Sequence, residues 1–202
     1  MLSISEKINY IEKEIRYLRS EMLSDKTNQY AYAQVEEVFN RIKDFPYAII
    51  TSNGKILKDS RDYSDMVNIS PDEFINKYRC GTCVDTTEYL FRELKHLNPH
   101  KLYFETEEAE SHVIMYVKDN DKYIVPEASF KKHLGIHTFR TFKQMLKYVE
   151  RIHCDYFNRK GCSIIDYTNV KTRYHLGYRE LWHLVWSSGK ILKIVKRNYL
   201  DL

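Results

Sequence analysis

The sequence predicts an α+β domain in which a cysteine-bearing helix packs on an antiparallel sheet and an N-terminal helical extension precedes both. Two observations carry this. Apolar residues recur at steps of three and four over 4–22 and 28–43, so the chain opens with helices. Strand-like segments then follow one another at 101–106, 111–118 and 122–127 with no helix between them, which is a meander rather than alternating βαβ units.

Taken in order, Ile4, Ile8, Ile11, Ile15 and Leu18 form one apolar stripe with Glu and Lys between. The second helix carries Tyr32, Val35, Val38, Phe39 and Ile42 on one side and ends at Phe45-Pro46. Residues 1–45 therefore read as the helical extension and 46–202 as the main domain. Tyr47–Thr51 is a strand, Asn53-Gly54 a hairpin turn and Ile56–Lys58 the returning strand. Residues 59–69 read as loop. Ser70-Pro71-Asp72-Glu73 opens a short helix with Ser at the cap, Pro in the first turn and Glu three residues on. A helix from Cys83 to about Leu97 buries Val84, Thr87, Leu90, Phe91, Leu94 and Leu97, with Glu88 on its polar side. After the meander, 141–157 is helical, 163–167 a strand and 177–187 a helix.

The 202 residues carry a net charge of +4, too small and too dispersed for a nucleic-acid footprint. Lys190, Lys193, Lys196 and Arg197 read as a solvated helix face or tail. Charged residues appear at once after the start, and no apolar run approaches the ~20 residues that span a bilayer. The expectation is a cytoplasmic protein, off the membrane, whose four cysteines are reduced.

Chemistry concentrates at Arg79-Cys80-Gly81-Thr82-Cys83-Val84-Asp85. Thr82 stands at the cap position and Asp85 three residues on, so Cys83 falls on the first helical residue. Free N–H groups and the helix dipole favour an anion there, and the thiolate is the nucleophilic form of cysteine. The same end offers a backbone N–H to an oxyanion, and Gly81 leaves room for substrate backbone. A thiol nucleophile needs a base, and the base an orienting acceptor. With Asp119 and Asn120 as the hairpin loop, His112 sits directly opposite Glu127 on the neighbouring strand. A shift of two residues keeps both on one face, and a shift of one separates them. Cys83, His112 and Glu127 are thus the candidate nucleophile, base and orienter.

Gly81-Thr82-Cys83-Val84-Asp85 at a helix start, with Ser111-His112-Val113 and Val125-Pro126-Glu127-Ala128-Ser129 on neighbouring strands, resembles the transglutaminase-like superfamily of papain-related cysteine enzymes, in particular its small bacterial members. The resemblance spans about 70–150 and implies a papain-like core with Cys83 as nucleophile, His112 as base and Glu127 as third member. It implies acyl transfer at an amide or peptide bond through a thioester, without cofactor or metal. Protease, amidase or deamidase, and transglutaminase activity all stay open, on protein, peptide or other amide substrates. Val84 stands where such proteins often carry an aromatic residue, and Glu127 where many carry Asp.

Other classes compete. Cys80 and Cys83 form a CxxC pair that would suit zinc or a redox thiol pair in a non-catalytic binding module. His153, Cys154 and Cys162 could add ligands, but the Cys154–Cys162 spacing is not that of common zinc modules, and both cysteines read as inert. A degenerate fold that binds partners through its N-terminal helices is a third class. Those helices can pair two copies or cover the cleft. His133, His137, His175 and His183 have no partner legible in the sequence, and Asp85 reads as a first-turn helix charge.

Overall fold

The computed structural model describes residues 30–58 and 62–194. The stripe over 4–22, Lys196 and Arg197 lie outside the described residues. The described chain is α+β. Helical residues 30–42 (α1) bury Ala31, Val35, Val38 and Ile42 in one cluster with Tyr89, Leu94 and Met115. Tyr32 is exposed on the other side. Strands β1 (Ala48–Ile50) and β2 (Ile56–Lys58) form the expected hairpin, and Gly54 supplies the turn's left-handed φ of 78°. Ser70 caps α2 (Pro71–Glu73) through a full capping box, and the last turn, Phe74–Tyr78, loosens into a π-helix.

Among the described residues, six strands build one antiparallel sheet in the order β6-β5-β4-β3-β7-β8. Three were expected in the meander: β3 (His100–Thr106), β4 (Ser111–Asp119) and β5 (Lys122–Glu127). Strand β7 is Cys162–Asp166. Two edge strands have no counterpart in the sequence reading: β6 (Gly135–Phe139) and β8 (Lys190–Lys193). Both are short and largely unburied, so neither shows a two-residue apolar alternation. Lys190 and Lys193 therefore lie on an edge strand, not on a helix face, and Lys193 pairs with Glu150.

Helix α3 (Cys83–Glu93) packs on one face of the sheet and α4 (Phe142–Phe157) on the other, while α5 (Tyr178–Ser188) joins the α3 side through Leu181, Trp182 and Val185. Alternation along β3 divides the core: Tyr103 meets α5, whereas Leu102 and Phe104 meet α4. No helix among the described residues is long and apolar enough to cross a membrane.

Helix α3 is the element least like its sequence pattern. Its first eight residues, Cys83 to Leu90, are all buried, and it ends at Glu93 before a 3-10 turn over Lys95–Leu97. Glu88 is not on a polar side. It is buried and accepts from Lys101 Nζ at 2.8 Å. The Lys101 ammonium also lies 4.6 Å from the ring centroids of Phe91 and Tyr167. A buried pair of this kind is costly to split, because the survivor is an uncompensated charge. Lys101→Met alone should destabilise the fold by about 3–5 kcal/mol, and Lys101→Met with Glu88→Leu by much less. Chemical denaturation of both variants measures the difference, and equal losses would contradict a buried ion pair.

Candidate functional site

The site begins at the N-terminus of α3. Thr82 is the cap residue and Cys83 the first helical one, as the spacing suggested. What fixes this end is Asp85. Its carboxylate accepts from the Ile69 N–H at 2.9 Å, the Thr82 N–H at 2.8 Å and the Thr82 hydroxyl at 2.9 Å. Asp85 is fully buried, and burial pushes its carboxyl up to about 6 even though all three donors favour the charged form. It is a buried clamp rather than a simple first-turn charge. Gly81 has a corresponding job. A Cβ there would stand 2.9 Å from Asp85 Cβ and 3.1 Å from the Phe74 ring. The missing side chain makes room for the protein itself. Strand β1 holds the same segment through Ala48 N–H to the Gly81 carbonyl at 3.0 Å.

His112 is the second residue of β4, and Glu127 closes β5. The hairpin between them differs from expectation by one step. Asp119 pairs with Lys122 and Val117 with Ile124, so Asn120 and Asp121 form the loop, and Asn120 takes the left-handed φ of 48°. Continued in that register, Glu127 falls opposite Ile114, two residues from His112. The shift is an even one, so both side chains stay on one face. Glu127 Oε2 lies 2.9 Å from His112 Nε2. The other oxygen of Glu127 accepts from the Ser129 and Phe130 N–H groups at 2.8 and 3.0 Å.

Nε2 is engaged by Glu127, and the Cys83 sulfur lies close enough to the same imidazole to favour its charged form. Burial opposes charge on His112, but Glu127 and the Cys83 sulfur outweigh it and lift the imidazole from 6.5 to about 10. Glu127 is held below its usual range: burial raises it, and His112 with the two backbone donors more than reverses that. The three predicted residues are therefore together and nearly closed to solvent, at 6% exposure for Cys83, 3% for His112 and 7% for Glu127.

Several neighbours carried no sequence signal. The edge of Phe130 meets His112 with centroids 4.3 Å apart, and Tyr156 packs on Phe130 at 4.8 Å. His153 stacks beside His112 at 6.1 Å. Its Nε2 donates to the Glu110 carbonyl at 3.2 Å, which leaves Nδ1 as the bare nitrogen, without a partner among the described residues. Burial, then the charge on His112, push His153 down to about 3, so it stays neutral. On the α5 side, Tyr178 bonds Ser111 at 3.1 Å and stacks on Tyr63, whose hydroxyl meets that of Tyr47 at 3.2 Å. Burial, together with the nearby Cys83 sulfur, pushes Tyr47 and Tyr178 upward, so both remain neutral phenols. A cleft of about 230 Å³ has Tyr47, Gly81, Ala128 and Ser129 among its lining residues, though Cys83, His112 and Glu127 do not line it.

Cys80 does not share the Cys83 environment. It packs with Ala48, Phe74 and Tyr89, whereas Cys83 packs with Ile49, Tyr103 and Trp182. Two of the histidines with no legible partner have one: His137 Nε2 donates to the His133 carbonyl at 2.7 Å, and His175 approaches Glu73 at 3.2 Å. Comparison with protein-family models, curated proteins and solved structures gives no match to this chain.

Two outcomes follow from this geometry. Gly81→Ala should cost about 1–3 kcal/mol, because Asp85 must leave its place. Thermal or denaturant unfolding checks it. The His112–Glu127 contact raises the histidine's folded-state value above its unfolded one. Its stabilisation is then complete below pH 6.5 and is lost as pH rises toward about 10. Glu127, held low, loses its share only on acidification below the usual carboxylate range. Denaturation across the alkaline interval should show falling stability in the wild type and a flatter profile in Glu127→Gln. Parallel profiles would contradict the coupling.

Proposed function

We propose that this protein is a cysteine-nucleophile acyl-transfer enzyme acting on an amide or peptide bond, with a papain- and transglutaminase-like arrangement of Cys83, His112 and Glu127. The observation that carries it is a buried imidazole held 2.9 Å from a buried carboxylate, with a thiol at a helix N-terminus near enough to favour the imidazolium. Nucleophilic catalysis requires such a set: a nucleophile, a base, and a fixed group that orients the base.

In the first half-reaction, Cys83 Sγ attacks the carbonyl carbon and its proton resides on His112 Nδ1. Negative charge develops on the carbonyl oxygen. First-turn N–H groups of α3, which the helix itself leaves unsatisfied, would donate to that oxyanion. His112 then returns the proton to the leaving nitrogen as the C–N bond breaks, and a thioester remains on Cys83. In the second half, water or an amine attacks the thioester carbon, His112 takes the proton, and Cys83 departs. Water gives hydrolysis or deamidation, and an amine gives transamidation. Glu127 holds Nε2–H throughout, and its two backbone donors stop it from turning away. Neutral His153 and the ring of Phe130 wall the imidazole without competing for its proton. The cleft is lined by apolar Phe45, Pro46, Ala128 and Leu134 and by charged Lys43, Asp44 and Lys131, and would take a peptide side chain with both apolar and polar parts.

Limiting iodoacetamide with peptide mapping tests the nucleophile. Cys83 should be alkylated first across several pH values, and His112→Gln should slow that labelling by roughly 10²-fold. Equal reactivity of the four cysteines would sink the proposal, and so would full biological activity in Cys83→Ala.

A further inference from the structure

A second group of reactive side chains lies on the far side of the sheet. Glu150, Cys154 and Cys162 place their carboxylate oxygen and two sulfurs within 4.8 Å of one another. Glu150 and Cys154 are four residues apart on α4 and so share a face. After α4 the chain turns back at once. Asn158 adopts a left-handed φ of 56°, the Arg159 N–H bonds the Cys154 carbonyl at 2.8 Å, and β7 then begins with Cys162. This reversal brings the two sulfurs within 4.8 Å of each other despite their separation in sequence. Both are buried in the apolar cluster beneath α4, beside Val149 and Ile164, while Glu150 stands at its margin.

We propose that Glu150, Cys154 and Cys162 form a binding site for one soft or borderline divalent cation of the zinc class. Two sulfurs and one carboxylate select zinc over hard ions such as magnesium or calcium, which take all-oxygen sets. In a tetrahedral site with Zn–S bonds of ~2.3 Å, the sulfurs stand ~3.8 Å apart, so the observed cluster needs only a small contraction. Three protein ligands leave the fourth position to solvent.

Charge supports the same assignment. Lys193 on β8 pairs with Glu150, so the group is neutral when both thiols carry protons. One Zn²⁺ replaces two thiol protons, which leave to solvent. The cation, two thiolates, Glu150 and the Lys193 ammonium again sum to zero, so loading puts no uncompensated charge beneath α4. This site is separate from the Cys80-Cys83 pair and does not depend on the function proposed for Cys83.

Titration of the chelator-treated full-length protein with Co²⁺, followed by displacement with Zn²⁺, tests it. The expected result is a thiolate-to-cobalt charge-transfer band saturating at one ion per chain, bleached by zinc, with two protons released per ion. The band should disappear in Cys162→Ser, and affinity should fall by ~10-fold or more in Glu150→Gln, whose change lies at the cluster's margin and spares the thiols. Cys80→Ala should bind as the wild type does. Absence of the band, its survival in Cys162→Ser, or its loss in Cys80→Ala would overturn the assignment.

Discussion

The buried carboxylate of Asp85 is the constraint on which the candidate site depends. A lone carboxylate in that position would be expensive, and three donors from Thr82 and Ile69 offset the cost. In exchange, the first turn of α3 is tied to the chain entering α2, and the cap residue can take only one place. Gly81 is the steric condition for this, since any side chain would occupy the position of Asp85. Cys83 inherits its location from these contacts: one residue inside the helix, at the end where N–H groups are unsatisfied by the helix itself.

Two buried ion pairs then serve different purposes within a few residues of each other. Lys101–Glu88 joins α3 to β3 and is enclosed by Phe91 and Tyr167, so its charges have nowhere to go. His112–Glu127 has the same burial but a different third neighbour. The Cys83 sulfur is near enough to add to the pull of Glu127 on the imidazolium charge. His153 stays neutral chiefly because it is buried, and the nearby His112 charge adds to this. Low local dielectric strengthens both pairs and makes either costly to break.

Helix α4 links the two groups of reactive side chains. His153 sends its ring to His112, while the next residue, Cys154, faces Cys162 and Glu150. Consecutive residues on a helix diverge by about 100°, so one helix can serve both without the groups merging. The segment after Glu127 closes the remaining side: its backbone holds the carboxylate and its Phe130 ring covers the histidine.

Local features were legible from the residues alone. The cap at Thr82, the first-turn position of Cys83, the hairpin at Asn53-Gly54 and the strands bearing His112 and Glu127 all follow from short-range patterns that backbone geometry enforces. The pairing of His112 with Glu127 was legible because strand periodicity has a period of two. The actual loop, Asn120-Asp121, shifts the register by two residues and keeps both on one face. Tertiary structure alone decided the rest. Edge strands β6 and β8 bury too little to leave an apolar alternation, so only pairing reveals them. Glu88 looked solvated because its partner, Lys101, lies on another element. The meeting of Cys154 and Cys162 was not legible because it depends on a chain reversal at Asn158 rather than on spacing. Polar residues in sequence carry no mark of burial. What they do is set by which partner the fold brings to them.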